Sequence, residues 1–419
     1  MITTRRIARA LLPLVLLLAG RIAMAADNWP EFRGPHGDGH ADSAKLPLSW
    51  SETEHVRWKT AIHDRGWSSP VVWGDQIWLT TATQDGKQMY AMQLDRDSGA
   101  VVRDVLLFSP AEPAFCHPYN SYASCTPAIE KGRVYIHFGS YGTTAIDTAS
   151  GKQIWTRDDL PCDHFRGPGS SPILWNNLLI LTFDGADFQY LVGLDKKTGE
   201  TVWRTDRHIH YDSDDGDYHK GFSTPTVIKL AGREQLISPS AGATIAYDPA
   251  TGHELWRVQS GGMNAAARPL FGHGMAFATT AYQGYQLFAV RPDGSGDISD
   301  SHVAWKFAKS VPSRSSPVLI GDHLFMVADK GVASCIDAKT GEALWQKRLP
   351  GEYTASPIYA SGRIYFFNED GRSPVIAPEP KELHELALNK LDDGCMASPA
   401  VSGNALFLRT KTHLYRIEQ

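Results

Sequence analysis

Residues 315–345 read SSPVLIGDHLFMVADKGVASCIDAKTGEALW. Ser316-Pro317 opens the stretch, and a proline at the first position of a strand gives up an N–H that the ladder does not need there. Val318-Leu319-Ile320 is apolar at every position, as an innermost strand crowded on both faces must be. Gly321-Asp322 then turns the chain into a second aliphatic and aromatic run. Asp337-Ala338-Lys339-Thr340-Gly341 is a second turn, in which the carboxylate can accept from downstream N–H groups and the glycine can take positive φ. Trp345 closes the unit. Taken locally, this is a row of short strands joined by tight turns.

The same unit recurs along the chain. Strand-opening prolines stand in Ser69-Pro70, Thr126-Pro127, Ser171-Pro172, Thr224-Pro225, Arg268-Pro269, Ser316-Pro317, Ser356-Pro357 and Ser398-Pro399, spaced 40 to 57 residues apart. A period in the forties with four strands per unit is the signature of a propeller blade. The turn recurs from Asp95, Asp147, Asp195 and Asp248 to Gly99, Gly151, Gly199 and Gly252, and Trp155, Trp203 and Trp256 follow as Trp345 does. Such rings should seal adjacent blades. Trp305 takes the role after an enlarged turn at 291–300, Arg103 replaces the ring in the first unit, and the seventh has none, so those interfaces should be weaker or differently filled. The last unit stops after three strands, and Val56-Arg57-Trp58-Lys59 can supply the fourth, which leaves no open sheet edge. The expected fold is all-β: an eight-bladed β-propeller of four-stranded antiparallel blades over residues 51–419, closed by an N-terminal strand carrying Trp58.

Residues 1–25 have the form of a signal peptide, with Arg5, Arg6 and Arg9 before an apolar run and Ala23-Met24-Ala25 as a small-x-small cleavage pattern. The expectation is an exported protein, periplasmic or secreted and monomeric, cleaved near Ala25, with an extended segment at 26–50 and no membrane span. Removing four arginines from a formal charge of −5 leaves 37 basic against 46 acidic residues. That balance argues against a nucleic-acid partner, because no basic excess is available to neutralise phosphates. Five cysteines permit disulfides without requiring them.

The recurring Asp-x-x-Thr/Ser-Gly-x-x-x-Trp pattern resembles the tryptophan-docking motif of the pyrroloquinoline-quinone-like (PQQ-like) propeller superfamily. That superfamily includes quinoprotein alcohol dehydrogenases and the propeller subunit of the outer-membrane protein assembly machine. Trp29-Pro30-x-Phe32-Arg33-Gly34-Pro35 and Cys162-Asp163-His164-Phe165-Arg166-Gly167-Pro168 resemble a widespread group of secreted PQQ-like repeat proteins. The dehydrogenase resemblance would imply PQQ and Ca²⁺ as cofactors, a disulfide between adjacent cysteines, a Trp floor under the quinone, Glu and Asn ligands to the metal, and an Asp base. This chain has no adjacent cysteine pair and no Ca²⁺-ligand motif that can be matched residue by residue. The fold alone does not decide between these functions.

Loops joining the outer strand of one blade to the inner strand of the next gather around the channel mouth, where binding residues are favoured. Three are long and polar: 108–124 with Cys116, His117 and Asn120; 157–170 with Cys162, Asp163, His164 and Arg166; and 206–223 with Asp217, His219 and Lys220. Ordinary solvated loops would have the same composition. Cys116, His117, Cys162, His164 and His219 are candidate metal ligands, although a Cys116–Cys125 or Cys116–Cys162 disulfide would claim the same sulfurs. Arg268 stands where every other unit has Ser or Thr. A charge there needs an acidic partner, a wet channel or an anionic ligand. It either makes an ion pair across the channel or joins Arg166 and Arg314 in an anion pocket. Trp67 is unclaimed by a docking role, so it either packs on the rim or offers a stacking platform to a sugar or quinone ring. The reading that follows is a binding or scaffold propeller for a protein partner or a small anionic or sugar-like ligand, held at the channel face or blade edges without evident catalysis. The alternative is a quinone- or metal-dependent oxidoreductase acting on alcohols or sugars at the mouth.

Overall fold

The computed structural model describes residues 28–41 and 44–419; the expected signal peptide lies outside the described residues. Eight sheets follow one another around an axis, each with a four-stranded antiparallel core. The first blade (Val71–Trp73, Gln76–Ala82, Met89–Asp95 and Val101–Phe108) sets the pattern. The eighth joins Ala400–Ser402, Ala405–Arg409 and His413–Ile417 to Val56–Ala61. The closing strand pairs antiparallel, with Trp58 opposite Arg416 and Lys59 opposite Tyr415.

The core is a series of layers between blades, and the turn chemistry places each layer. In the first, second and sixth blades the Asp Oδ1 accepts from the backbone N–H and hydroxyl of Ser98, Ser150 or Thr340. The glycine that follows has φ near +75° in each turn, which favours glycine. It also has no room for a Cβ, because the indole of the preceding blade lies against it: Trp58 on Gly99, Trp155 on Gly199, Trp203 on Gly252 and Trp305 on Gly341. Each of those indoles donates Nε1–H to a carbonyl in the same turn, at Arg96, Lys196, Pro249 and Ala338, over 3.1–3.2 Å.

Exceptions to the pattern are filled rather than weak. Arg103 donates to Ala149 O at 2.5 Å and lays its side chain on Gly151, in the place of an indole. Trp256 turns inward to Gln235 Oε1 at 2.7 Å, and the enlarged turn of the fifth blade adds Gly296–Asp297 as a parallel strand over it. At the seventh blade the N-terminal segment supplies the missing ring. Trp50 N–H donates to Asn389 Oδ1 at 2.8 Å and the indole stacks on Tyr365.

Around the axis, the strand-opening residues form a ring. Ser69 N–H donates to Thr126 Oγ1, Thr126 to Ser171, Ser171 to Thr224, Arg268 to Ser316, Ser316 to Ser356, and Ser356 to Ser398, each at 2.9 Å. Arg268 has no hydroxyl to accept from Thr224, so the ring is interrupted there.

Residues 28–41 cross one end of this ring. Trp29 pairs with Val72 in both directions at 2.9 Å, and Ile129 N–H donates to Pro30 O. Arg33, 2 % exposed, donates to Pro357 O, Pro317 O and Asp38 O. Arg268 meets Glu31 at 2.8 Å and donates to Phe32 O at 2.5 Å. The segment is thus tied to blades on several sides of the axis.

Candidate functional site

With one end crossed by this segment, the channel is a cup of about 900 Å³ whose lining comes from all eight blades. Phe32 lies at its floor with six hydroxyls of the strand-opening ring, and the inter-blade loops form its wall. Trp67, His117, Asn120, Arg166 and Arg314 of the sequence-derived candidates line it. Arg268 does not; its guanidinium serves the N-terminal segment. The three arginines therefore do not share one pocket, and the acidic partner of Arg268 comes from Glu31 rather than from across the channel.

The three cations that line the cup, Arg166, Arg314 and Lys330, are each held by a carboxylate, whereas Arg65 beside it lies over the Trp67 ring at 4.9 Å and donates to Pro118 O. Arg166 makes a two-pronged contact with Asp217 at 2.8 and 2.5 Å, and the buried Lys220 amine meets the same carboxylate. Burial and the nearby Arg166 charge bring Lys220 down to about 8. Arg314 lies between Asp329 at 3.4 Å and Glu369 at 3.5 Å. Lys330 pairs with Glu352 at 2.5 Å.

The loop at 108–124 reaches farther than its sequence implies. Tyr119 donates its hydroxyl to Glu369 of the seventh blade, and Arg314 lies over its ring at 4.5 Å. Trp67 Nε1–H donates to Tyr119 O at 3.2 Å, Arg65 lies over its ring at 4.9 Å, and the indole lines the cup. Asn120 ties the same loop to Arg166 O and Pro168 O. Tyr119, Tyr282, Tyr285, Phe222 and the carboxylates of Asp329 and Glu369 are site features that the repeat pattern does not single out. The one local signal was the Tyr-Gln-Gly-Tyr hairpin of the fifth blade, which breaks the blade pattern with two exposed rings.

The remaining candidates serve the loops. Asp163 Oδ1 accepts from Phe165 N–H, and His219 stacks on Tyr211 at 4.0 Å with Nε2 on Ser213 O. His164 Nε2 accepts from Ser140 N–H while its ring stacks on Phe183. Cys116, His117, Cys162, His164 and His219 do not converge, and no group of three His, Cys, Asp or Glu side chains that could hold a metal occurs among the described residues. The reason is local: Cys162 faces His164 Nδ1, Cys116 faces the carbonyls of His117 and Arg166, and His219 is turned to Tyr211. All five cysteines are unpaired. Burial raises Cys116 to about 11 and pushes Cys162 well above the ordinary thiol value, so both are thiols at neutral pH.

Behind this wall, His137 and His164 are held neutral by burial, down to about 3 and about 4. Their folded values lie below the unfolded value, so the unfolded chain binds more protons as pH falls from about 6.5. The stability they confer is complete above that pH and is lost on acidification toward the folded values. His137 is 2 % exposed, and its loss approaches about 1.4 kcal/mol per pH unit within that window. In His137→Gln, the fall in urea-unfolding free energy between pH 7 and pH 5 should be smaller than in wild type; equal falls contradict the assignment.

Comparison with known proteins places this geometry. The family model described as outer membrane protein assembly factor BamB matches residues 49–205 and 295–386, more than half of the chain. The BamB of Shewanella oneidensis is 23% identical over 302 residues, 67% of this chain and 70% of that protein. The 1-butanol dehydrogenase (quinone) of Thauera butanivorans is 32% identical over 152 residues, but these are 30% of this chain and 22% of that enzyme. Among solved structures, the quinohemoprotein alcohol dehydrogenase of Comamonas testosteroni superposes with a TM-score of 0.70 at 12% identity, over 94% of this chain and 81% of that one, a likeness of fold alone. With its repeat, its docked indoles and that family match together, the chain belongs to the PQQ-like repeat propellers of the BamB family.

Proposed function

We propose that this protein is an exported propeller that binds a ligand or a segment of a partner protein in the cup at its channel mouth, without catalysing a reaction on it. The observation that carries this reading is the cup itself: eight loops converge on a floor tied down by residues 28–41. The relatives named as assembly factors favour a binding or scaffold role and a protein partner. The lining offers shape, aromatic faces and paired charges but no thiol, and burial with the Arg166 charge lowers His117. Nothing there is poised as an activated nucleophile.

The runner-up is a quinone- or metal-dependent oxidoreductase acting on alcohols or sugars. The cup has the volume for a quinone, but the residues do not fit the group. No two cysteines are adjacent in the sequence, the floor carries Phe32 and hydroxyls where a Trp would be needed, and the mouth carboxylates are engaged by Arg166, Arg314 and Lys330.

Photo-crosslinking in the living cell tests the location. A crosslinking side chain at Tyr282, on the rim and 49% exposed, should capture an adduct that the same group at Leu388, on the outer strand of the seventh blade, does not. Adducts at Leu388 and none at Tyr282 would move the function to the blade edges.

A further inference from the structure

The hydroxyls at the floor have a capacity that the fold leaves unspent. Thr126, Ser171, Thr224, Ser356 and Ser398 each accept a backbone N–H from the neighbouring blade at 2.9 Å. Among the described residues none of them has a protein acceptor for its own proton, although each is at most 6% exposed and lines the cup. A ring of buried O–H donors around one axis calls for a molecule with several acceptor oxygens.

Other walls narrow that molecule further. Arg166, Arg314 and Lys330 each carry a carboxylate partner within 4 Å. An anion entering the cup would have to compete with Asp217, Asp329 or Glu352 for a cation, and would meet those displaced charges. A neutral molecule meets no such opposition, and its hydroxyls can donate to the lone pairs that Asp329 and Glu352 keep. Aromatic rings also line the cup: Trp67, which carries Arg65 over its ring at 4.9 Å, Tyr282 and Tyr285 of the fifth blade, and Phe32 at the floor. Rings with one apolar face, many hydroxyls and no charge match all three features.

We propose that the cup takes a neutral saccharide, resting one ring face on Trp67 and its oxygens on the hydroxyl floor. This rests on the cup being the binding site. It excludes the anionic ligand that the arginines of the mouth bring to mind from sequence, because those arginines are already paired. The chemistry is shared by a free oligosaccharide and by the end of a longer glycan, and chain length in the test distinguishes them.

Titration of the full mature chain with neutral sugars (maltose, cellobiose, chitobiose and their longer oligomers) and with glucuronate and citrate decides the matter. Heat and tryptophan fluorescence should report saturable binding of at least one neutral sugar below about 10 mM. A disaccharide binding as tightly as its longer oligomers indicates a free sugar, and affinity rising with length indicates a glycan end. Trp67→Ala should weaken that binding about tenfold, while Leu388→Ala on the outer strand leaves it unchanged. Thr126→Val, which removes one floor donor at nearly constant volume and also the acceptor of Ser69 N–H, should weaken it several-fold while lowering the unfolding midpoint by no more than a few degrees. Tighter binding of glucuronate or citrate than of any neutral sugar overturns the proposal, as does sugar binding indifferent to both Trp67→Ala and Thr126→Val. Silence from the whole panel overturns it too. If that silence comes with rim adducts at Tyr282, the cup remains the binding site and only its saccharide chemistry is wrong; if the adducts sit at Leu388, the site itself is wrong.

Discussion

Deletion of residues 51–60 is expected to abolish cooperative unfolding. This segment carries most of the strand that completes the eighth blade, from Val56 opposite Ile417 to Thr60 opposite Leu414. It also brings Trp58 to Arg96 O at 3.1 Å and onto Gly99 of the first blade, and Glu52 to Lys59 and the Tyr415 hydroxyl at 2.9 Å. Without it, His413–Ile417 becomes an open edge at the point where the ring must close, and the first blade loses the ring sealing its turn. Trp58→Ala keeps the ladder and removes only the docking contact, so it should cost about 3–5 kcal/mol and leave a single, lower transition. Circular dichroism during heating distinguishes the two. An unchanged melt for the deletion would mean that the ring does not depend on its N-terminal strand.

Arg33→Ala is expected to be nearly as damaging, although the residue belongs to no blade. Its guanidinium satisfies Pro317 O, Pro357 O and Asp38 O inside the molecule, and truncation strands those carbonyls without water. Burial and the neighbouring Arg268 charge already bring Arg33 down to about 9 against the attraction of Asp38, so the cation is held by geometry rather than by a strong counter-ion. Loss of about 3–5 kcal/mol in urea unfolding is expected. Arg268→Ser probes the same segment differently. A serine supplies the hydroxyl that Thr224 N–H lacks, yet it releases Glu31 and Phe32 O. In a double-mutant cycle with Glu31→Gln, the pair should couple by about 2–4 kcal/mol; additive losses would show that Arg268 and Glu31 do not act together.

These two segments also mark how far the sequence could be read. Strand-opening prolines, Asp-to-Gly turns and docked tryptophans are local, so their period declares eight blades and even the donor of the missing strand. What filled the irregular interfaces was not local. Trp50 covers a blade whose strands lie more than 300 residues away, and nothing near Asn389 announces it. Arg268 was conspicuous, but its partner Glu31 is 237 residues distant, in a segment that pattern alone describes only as extended. For the mouth, Trp67, His117, Asn120, Arg166 and Arg314 were legible as loop residues near the axis. Their pairing was not, because each contact joins different loops; Tyr119 reaches Glu369 across 250 residues. The metal-ligand candidates of the three loops likewise meet local partners: Cys116 the carbonyls of His117 and Arg166, and His219 the carbonyl of Ser213 and the Tyr211 ring.

The most direct test of a binding cup, as opposed to a quinone enzyme, is native mass spectrometry of the protein purified from cells, with and without added pyrroloquinoline quinone and Ca²⁺. The wild-type chain is expected to retain a bound molecule or co-purifying partner that Trp67→Ala loses, and neither protein should take up quinone. Stoichiometric quinone and Ca²⁺ on the wild-type chain would contradict this expectation.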